Sequence, residues 1–340
     1  MATRIYSADQ IREHLDRLPR LHLAALPTPL EELPRLAAHL GGPRILIKRE
    51  DLTGLAMGGN KIREFEYSVA QAVEAGCDVL VHGAAAQSNQ SRQTAAVAAR
   101  LGLRAVQVGR ADAHAHTQGN LLLSRLFGAE VHLPRPADQA AAVEAVMADL
   151  RARGHRPFNT SSDGFVYRSV AYVDGFLELW GQLAERQLRP DAIYLCSGAH
   201  THVGLVVGAR ALGLDLRVVG ISPSPRDDGE AARRLAALAA QNAAVLKLEL
   251  EFSPADFESY SEFVGPDYGV VTDGSREALR LAARQEGLLL DPCYTGKAMA
   301  GMMAHIRRGW WRPEHTVVFI HTGGTPALFA YADELGLEPG

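Results

Sequence analysis

The sequence predicts an α/β protein with two lobes, each an open, twisted and mostly parallel sheet with helices on both faces. Short β-rich runs alternate along the chain with alanine-rich stretches of helical periodicity that end at glycine. This alternation is typical of βαβ units, whose crossover helices cover both faces of a parallel sheet. A chain of 340 residues is also long enough for two domains of ordinary size.

The predicted strands are short runs of branched and apolar residues bounded by turn residues. In chain order they span residues 44–48, 78–83, 104–108, 130–133, 191–196, 216–222 and 316–321. Two predicted helices are well delimited, because a glycine follows the last periodic residue in each. Residues 62–75 precede Gly76, and residues 91–101 precede Gly102.

The irregular segment 154–164 separates a first set of strand–helix units from a second set. We therefore predict a small domain of residues 56–164 and a large domain of residues 1–55 and 165–340. Ligands of parallel sheets bind at the carboxyl ends of the strands, where a strand passes into a helix. The sequence thus predicts a ligand between the two lobes.

Composition excludes several functional classes. The formal charge of −4 argues against a broad nucleic-acid surface, and no run approaches the roughly 18 apolar residues of a membrane span. The first twenty residues are charged and amphipathic and lack the apolar core of a signal peptide. The three cysteines lie far apart and cannot all pair, which favours a reducing compartment. We expect a cytoplasmic protein.

Several common active-site motifs are absent. The chain has no GxGxxG after its first strand, no GxxxxGK[ST], no GxSxG and no HEXXH, which argues against the usual dinucleotide, P-loop, hydrolase and zinc-protease sites. The histidine pairs His114/His116 and His200/His202 lack a third ligand of obvious spacing. We therefore expect no metal site.

Lysine is scarce, which draws attention to Lys61. Only four of the 35 basic residues are lysine, and arginine cannot do the chemistry of an amine. Genome composition alone would explain the scarcity, but not the position of Lys61 directly after Met57-Gly58-Gly59-Asn60 at a predicted helix start. Glycines allow close approach of the backbone to a ligand, and a helix N-terminus favours a nearby anion.

Other segments also place small polar groups where a strand passes into a helix. Each alone is more typical of a capped turn, but together they predict one shared site. They are Ala86-Gln87-Ser88-Asn89-Gln90, Ser197-Gly198-Ala199-His200-Thr201-His202, Asp291-Pro292-Cys293-Tyr294-Thr295-Gly296-Lys297 and His321-Thr322-Gly323-Gly324-Thr325-Pro326.

These segments closely resemble the D-cysteine desulfhydrase / 1-aminocyclopropane-1-carboxylate (ACC) deaminase family. The resemblance rests on GGNKIREFEY, AQSNQSRQTAA, LDPCYTGKAMAG and FIHTGGTPALFAY, with LPTPLEELPRL and IKRED near the start, and runs from about residue 25 to 335. It implies a pyridoxal 5'-phosphate (PLP) enzyme of fold type II that acts on a small amino acid. It also implies a homodimer, with no nucleic-acid or membrane partner.

The resemblance assigns catalytic roles to four residues. Lys61 would be the Schiff-base lysine, which must be a deprotonated amine to attack the cofactor aldehyde. Ser88 would assist proton transfer or bind the substrate carboxylate. Tyr294 and Tyr268 match the two active-site tyrosines of the family, one near the cofactor ring and one near the substrate.

The resemblance also assigns the residues that bind the cofactor. Asn89 would hydrogen-bond the ring oxygen, and Thr295 would face the pyridine nitrogen. Thr322, in the motif FIHTGGTPALFAY, would also contact the cofactor. The phosphate would lie in the loop Ser197, Gly198, Ala199, His200 and Thr201.

Three positions distinguish the branches of the family. ACC deaminases carry glutamate where this chain has Thr295, and a neutral hydroxyl cannot keep the pyridine nitrogen protonated. A weaker electron sink suits α-proton removal with prompt loss of a good β leaving group. Thr322 also matches the desulfhydrases, whereas Gln90 matches the deaminases. We predict β-elimination that gives pyruvate and ammonia, from D-cysteine, L-cysteate or a relative. The alternatives are ACC deamination, a specialised enzyme of secondary metabolism, or a non-catalytic PLP-binding protein.

Two departures from the family concern the phosphate site. The family usually has lysine or arginine three residues after the Schiff-base lysine, where this chain has Glu64, and His200 replaces a glycine of the phosphate loop. We expect a protonated His200 to contact the phosphate or to pair with Glu64, so that the pair replaces the lost cation. Backbone N–H groups of residues 198–202 would supply the rest of the anion site.

Overall fold

A computed structural model describes residues 4–336 and contains a large and a small sheet. The strands follow the chain as β1 (Leu30–Glu32), β2 (Arg44–Lys48), β3 (Val79–Gly83), β4 (Arg104–Val108), β5 (Glu130–His132), β6 (Pro157–Asn159), β7 (Ala192–Cys196), β8 (Arg217–Ile221), β9 (Glu258–Tyr260) and β10 (Thr316–Ile320). Every predicted strand is present within two residues of its predicted ends. The three-residue strands β1, β6 and β9 were not predicted, because so short a run shows no alternation.

Both sheets are open, and both are mostly parallel. The large sheet has the order β1-β2-β10-β7-β8-β9, in which only β1 is antiparallel to its neighbour. The small sheet has the order β5-β4-β3-β6 and is parallel throughout. The predicted α/β class with two mostly parallel sheets is confirmed.

Helices cover both faces of each sheet. They are α1 (Ala8–Leu15), α2 (Pro34–Leu40), α3 (Asn60–Glu74), α4 (Asn89–Leu101), α5 (Gly119–Leu126), α6 (Gln139–Ala152), α7 (Phe165–Glu185), α8 (His200–Ala211), α9 (Asp228–Val245), α10 (Asp273–Glu286), α11 (Thr295–Arg307) and α12 (Ala327–Ala330). Helices α3 and α4 begin two residues before their predicted starts. Gly102 ends α4 with a φ of 70°, a conformation that favours glycine.

Alternation along the buried strands divides the core into layers, because successive side chains point to opposite faces of a sheet. In β7, Ile193 and Leu195 pack with α7, α8 and α9, whereas Tyr194 packs with α11 on the other face. In the small sheet, Leu80 packs toward α3 and α4, whereas Val81 packs toward α6. The strands of the large sheet come from residues 30–48 and 192–320. The predicted domain boundaries at residues 55 and 164 stay a prediction.

A buried network of charges joins α3 to α7 and to the large sheet. Arg63 on α3 donates to both carboxylate oxygens of Glu50, at 2.8 and 2.9 Å, and also to Glu178 on α7. Lys48 at the end of β2 forms an ion pair with Glu178, and the Tyr172 hydroxyl donates to Glu50. This network holds α3 against the large lobe.

In the part of the chain that the structure describes, no helix is both long and apolar enough to cross a membrane.

Candidate active site

A cavity of about 280 Å³ opens between the two lobes. Its walls come from the start of α3 and from the segments that follow β3, β7 and β10, so it lies at the carboxyl ends of strands from both sheets. The predicted site residues that line it are Lys61, Ser88, Asn89, Gly198, Ala199, His200, Thr201, Tyr294 and Thr322. Tyr268, Ser197 and Thr295 do not line it.

Close approach of two glycine-containing loops places Lys61 at the cavity. Gly59, directly before α3, has a φ of 118°. A Cβ on Gly59 would lie 2.4 Å from the side-chain nitrogen of Gln93 and 3.3 Å from the carbonyl oxygen of Thr322. The N–H of Asn60 donates to that same carbonyl at 3.0 Å. Only glycine therefore allows the start of α3 to meet the loop after β10.

The Lys61 amine lies in an environment that favours its neutral form. Its side chain is 23% exposed, and Nζ donates to Oε1 of Glu64 at 2.7 Å. Burial lowers the pKa of Lys61, and the charge of Arg168 lowers it further, whereas Glu64 opposes both effects. A lysine with a lowered pKa has a larger fraction of the free amine, which is the nucleophilic form.

Glu64 is fully buried at the centre of a polar cluster at one end of the cavity. Its Oε1 accepts hydrogen bonds from Lys61, from Asn60 Nδ2 at 3.2 Å and from Thr201 Oγ1 at 3.4 Å. Its Oε2 accepts a hydrogen bond from Nε of Arg168 on α7 at 2.8 Å. Three elements, α3, α7 and the start of α8, thus meet at one carboxylate.

The predicted pairing of His200 with Glu64 is wrong, since Arg168 takes that place. The Nε2 atom of His200 is buried and has no hydrogen-bond partner in residues 4–336, and the ring packs edge-on against Phe165 at 4.2 Å. Burial lowers the pKa of His200 well below its ordinary value, and the positive charges of Arg168 and Lys61 add to the effect. His200 is therefore a neutral imidazole at the cavity wall.

Asn89 is oriented by a hydrogen-bonded chain that the sequence did not reveal. Asn120 Nδ2, at the start of α5, donates to Asn89 Oδ1 at 2.8 Å and to the carbonyl oxygen of Gln87 at 2.9 Å. The N–H of Asn120 donates to Oε1 of Gln87. Because Asn89 Oδ1 is the acceptor, its Nδ2 is the free donor at the cavity wall. Ser88 caps α4 by accepting from the N–H of Ser91 at 3.2 Å, which leaves its own proton to donate.

Tyr268 and Tyr294 form a hydrogen-bonded pair at the cavity. Their hydroxyl oxygens lie 2.7 Å apart, and the two rings meet edge to face at 5.7 Å. Burial raises the pKa of both phenols, so both keep their protons near neutral pH. One hydroxyl donates to the other, which leaves one proton of the pair available for transfer. Tyr268 thus reaches the cavity through Tyr294.

Ser197 points away from the cavity. Its hydroxyl lies 2.9 Å from Nδ1 of His202, whose Nε2 lies 3.0 Å from the carbonyl oxygen of Val218. Burial lowers the pKa of His202 to about 4, so the ring is neutral. Nε2 donates to the carbonyl, and Nδ1 accepts from Ser197. The hydroxyl of Ser197 is therefore not available to a ligand. The predicted place of Ser197 in the phosphate loop stays a prediction.

Thr295 is fully buried at the start of α11. Its hydroxyl donates to Oδ1 of Asp291 and accepts from the N–H of Asp291, each at 2.7 Å. Asp291 also accepts the N–H groups of Cys293 and Tyr294, and it thereby fixes the backbone that carries Tyr294. The contact of Thr295 with a pyridine nitrogen stays a prediction.

Arg168 is the main residue that sequence reasoning missed. Arg168 lies on the buried face of α7, in the segment YRSVAYVDG, which contains none of the motifs described above. The available signal was an arginine inside an otherwise apolar helical stripe, since arginine is almost never fully buried unless it is paired.

Comparison with known proteins agrees with this geometry. Residues 21–323 match the protein family described as pyridoxal-phosphate dependent enzyme. The chain is 41% identical over 325 residues to a D-cysteine desulfhydrase of Salmonella choleraesuis (strain SC-B67). The alignment covers 94% of this chain and 98% of the relative. A D-cysteine desulfhydrase of Salmonella newport (strain SL254) is also 41% identical, over 326 residues, with the same coverage.

A solved structure described as an ACC deaminase homologue superposes with a TM-score of 0.85 at 31% identity, and the match covers 96% of this chain and 98% of that one. A fungal L-serine ammonia-lyase from Rhizomucor miehei superposes with a TM-score of 0.67 at 20% identity, covering 92% of this chain and 98% of that one. This second likeness shows the shared fold alone.

Proposed function

Because the chain belongs to the family of pyridoxal-phosphate dependent enzymes, we propose that it is a carbon–sulfur lyase that acts on D-cysteine or a closely related β-substituted amino acid. The reaction would remove the α-proton and expel the β substituent with its bonding electrons. With D-cysteine and water, the products would be pyruvate, ammonia and hydrogen sulfide. The 41% identity to D-cysteine desulfhydrases over nearly the whole chain supports this substrate class.

The observation that carries the proposal is one cavity lined by an amine, an amide donor and a phenol whose hydroxyl contacts a second phenol outside the cavity. Lys61, Asn89 and Tyr294 all line it, and the pKa of Lys61 is lowered. Each of these groups by itself is common in proteins. Together they match what a lyase of this class needs, namely a base for the α-proton, a donor that orients the cofactor and a proton source for the leaving group.

The residues present fit pyridoxal phosphate. Lys61 would carry the cofactor, Asn89 Nδ2 would donate to the ring oxygen, and the N-terminus of the twelve-residue helix α8 would bind the phosphate. The buried, unpartnered Nε2 of His200 lies at this same helix start and is consistent with a missing polar partner. When bound, the cofactor supplies an electron sink that stabilises negative charge at the α-carbon of the amino acid.

Lys61 would hold the α-proton at Nζ. Its lowered pKa provides a neutral amine to accept the proton, and Glu64 at 2.7 Å stabilises the ammonium that results. Ser88 and Asn89, at the start of α4, also line the cavity and would bind the substrate carboxylate or the ring oxygen.

The tyrosine pair would protonate the leaving group. A thiolate leaves more readily when a proton donor stands beside it, and the phenols of Tyr294 and Tyr268 are both protonated because burial raises the pKa of each. Tyr268 can then return a proton to Tyr294 across their 2.7 Å contact.

A panel of amino acids assayed for pyruvate, 2-oxobutyrate and sulfide tests the proposal. We expect D-cysteine to yield pyruvate and sulfide in equal amounts, with L-cysteine as the matched enantiomer control. Formation of 2-oxobutyrate from 1-aminocyclopropane-1-carboxylate, without sulfide from D-cysteine, would instead establish the deaminase alternative. Turnover of no member of the panel by cofactor-loaded protein would favour a specialised substrate or a non-catalytic role.

The protein would act as a homodimer. Helix α12 packs against α5, and these two helices carry exposed apolar side chains, namely Leu122, Leu126, which is 75% exposed, and Phe329, which is 63% exposed. Apolar patches of this kind commonly mark protein interfaces. We expect sedimentation to give a dimer for the wild type and a monomer for Leu126→Asp. A wild type that stays monomeric would contradict the dimer, and a dimeric variant would move the interface elsewhere.

A further inference from the structure

Arg168 carries one guanidinium nitrogen that the protein leaves free. The residue lies in the first turn of α7 and is only 5% exposed. Its Nε donates to Glu64 at 2.8 Å, and its Nη2 donates to Oε1 of Gln90 at 2.7 Å. Within residues 4–336, Nη1 has no hydrogen-bond partner, and Arg168 lines the cavity. Two side chains thus fix the plane of the guanidinium, and its third nitrogen remains available to a ligand.

The free nitrogen lies at the end of the cavity where α8 begins. Glu64, which binds Arg168 through Oε2, accepts from Thr201 in the first turn of α8 through Oε1. His200, the first residue of α8, lines the same cavity, and the charge of Arg168 contributes to the lowered pKa of its ring. Helix N-termini attract anions through their free N–H groups and the helix dipole. The guanidinium of Arg168 and the start of α8 therefore favour an anion at the same end of the cavity.

The shape of the guanidinium also favours an anion. A single buried carboxylate, Glu64, faces both Arg168 and the Lys61 amine. Because the lowered pKa of Lys61 favours its neutral form, Arg168 is the lasting positive charge of the cluster, and Glu64 occupies only one of its three nitrogens. A guanidinium binds phosphate with strong, directional hydrogen bonds, which makes an anion of that shape the natural partner.

We propose that Arg168 is the residue that binds the cofactor phosphate, and that Glu64 and Gln90 are positioning residues that aim its free nitrogen. This inference rests on the proposed use of pyridoxal phosphate. It explains why a carboxylate stands three residues after Lys61, where the family usually has a cation. The cation comes from α7 instead of α3, and Glu64 holds it in place.

Titration of cofactor-free protein with pyridoxal 5'-phosphate and, separately, with pyridoxal tests this role, because the two ligands differ only in the phosphate. We expect Arg168→Gln to weaken binding of the phosphorylated ligand roughly ten- to hundredfold and to weaken binding of pyridoxal far less. Arg168→Lys should lose less, since it keeps the charge but not the planar fork. The exposed Arg189, changed to glutamine, is the matched control and should alter neither affinity.

Equal weakening of both ligands would show that Arg168 only supports the local structure, and the inference would fail. An unchanged affinity for the cofactor with a raised KM for the amino acid would assign Arg168 to the substrate and would also overturn it. If Arg168→Gln does not fold, Gln90→Ala provides the same comparison, with an expected loss of about threefold for the phosphorylated ligand alone. Failure of the wild type to bind the cofactor would instead contradict the proposed function.

Discussion

Lys61→Ala should abolish turnover, with a loss of roughly 10⁴-fold or more, and should remove the visible absorbance of covalently held cofactor. The substitution deletes both the amine that carries the cofactor and the base for the α-proton. The other buried lysines cannot replace it without moving. Lys48 donates to Thr28 and Gln182 beside its ion pair with Glu178, and Lys297 donates to the carbonyl oxygen of Asp267 at 3.2 Å.

Absorbance spectra after borohydride reduction, together with the pyruvate assay, measure both effects. Lys247→Ala is the matched control, because Lys247 is exposed and does not line the cavity, and this variant should keep full activity. A reducible cofactor adduct that survives in Lys61→Ala would mean that another lysine carries the cofactor.

Arg63→Met should lower the free energy of unfolding by about 3–5 kcal/mol, the usual cost of leaving buried charges without their partner. Arg63 is 0% exposed and donates to Glu50 and Glu178, both of which would lose their main countercharge. Because Arg63 lies on α3 two residues after Lys61, the loss should also reduce activity. Urea denaturation of the cofactor-free protein measures the stability directly.

Arg44→Met is the matched control for this measurement. Arg44 pairs with Glu32 at 3.0 Å, but both side chains are about half exposed, and exposed pairs contribute roughly 0–1 kcal/mol. If Arg63→Met lowers the free energy of unfolding no more than Arg44→Met does, the buried network does not hold α3 against α7.

The same network should give the protein an acid-sensitive stability. Burial alone would raise the pKa of Glu50, but the charge and hydrogen bonds of Arg63 reverse this and lower the pKa to about 2, against an ordinary value of 4.5. A carboxyl with a depressed pKa stabilises the fold above its ordinary pKa and loses that contribution as the pH falls. On the order of 3 kcal/mol should therefore disappear between about pH 4.5 and pH 2, and Arg63→Met should remove most of this dependence.

The principal residues of the cavity could be predicted from the sequence because each lies in a short motif at the start of a helix. Lys61, Ser88, Asn89 and Tyr294 stand in short motifs whose glycines, amides and hydroxyls are contiguous in the chain. Carboxyl ends of parallel strands meet at one edge of a sheet, so residues at such switches converge whatever their separation along the chain. Ser88 and Asn89 follow β3 and obey that rule, whereas Tyr294 follows α10 and comes to the same cavity through tertiary packing.

The second layer of the site could not be predicted, because its contacts join residues distant in sequence. Glu64 meets Arg168 across more than 100 residues, and Asn120 orients Asn89 from the start of another helix. The prediction for His200 failed for the same reason. It placed a protonated histidine of the phosphate loop beside Glu64, whereas the packing of α7 on α3 brings an arginine there.

Local sequence patterns specify the alternation of strands and helices, and with it the fold class and the edge of the sheets where polar side chains gather. These features follow from local periodicity and from turn residues, which act over a few positions of the chain. Which charges face each other, and which groups lose water, depends on the tertiary packing. Burial made His200 neutral and Lys61 a weaker base, and burial depends on elements that come together from all parts of the chain.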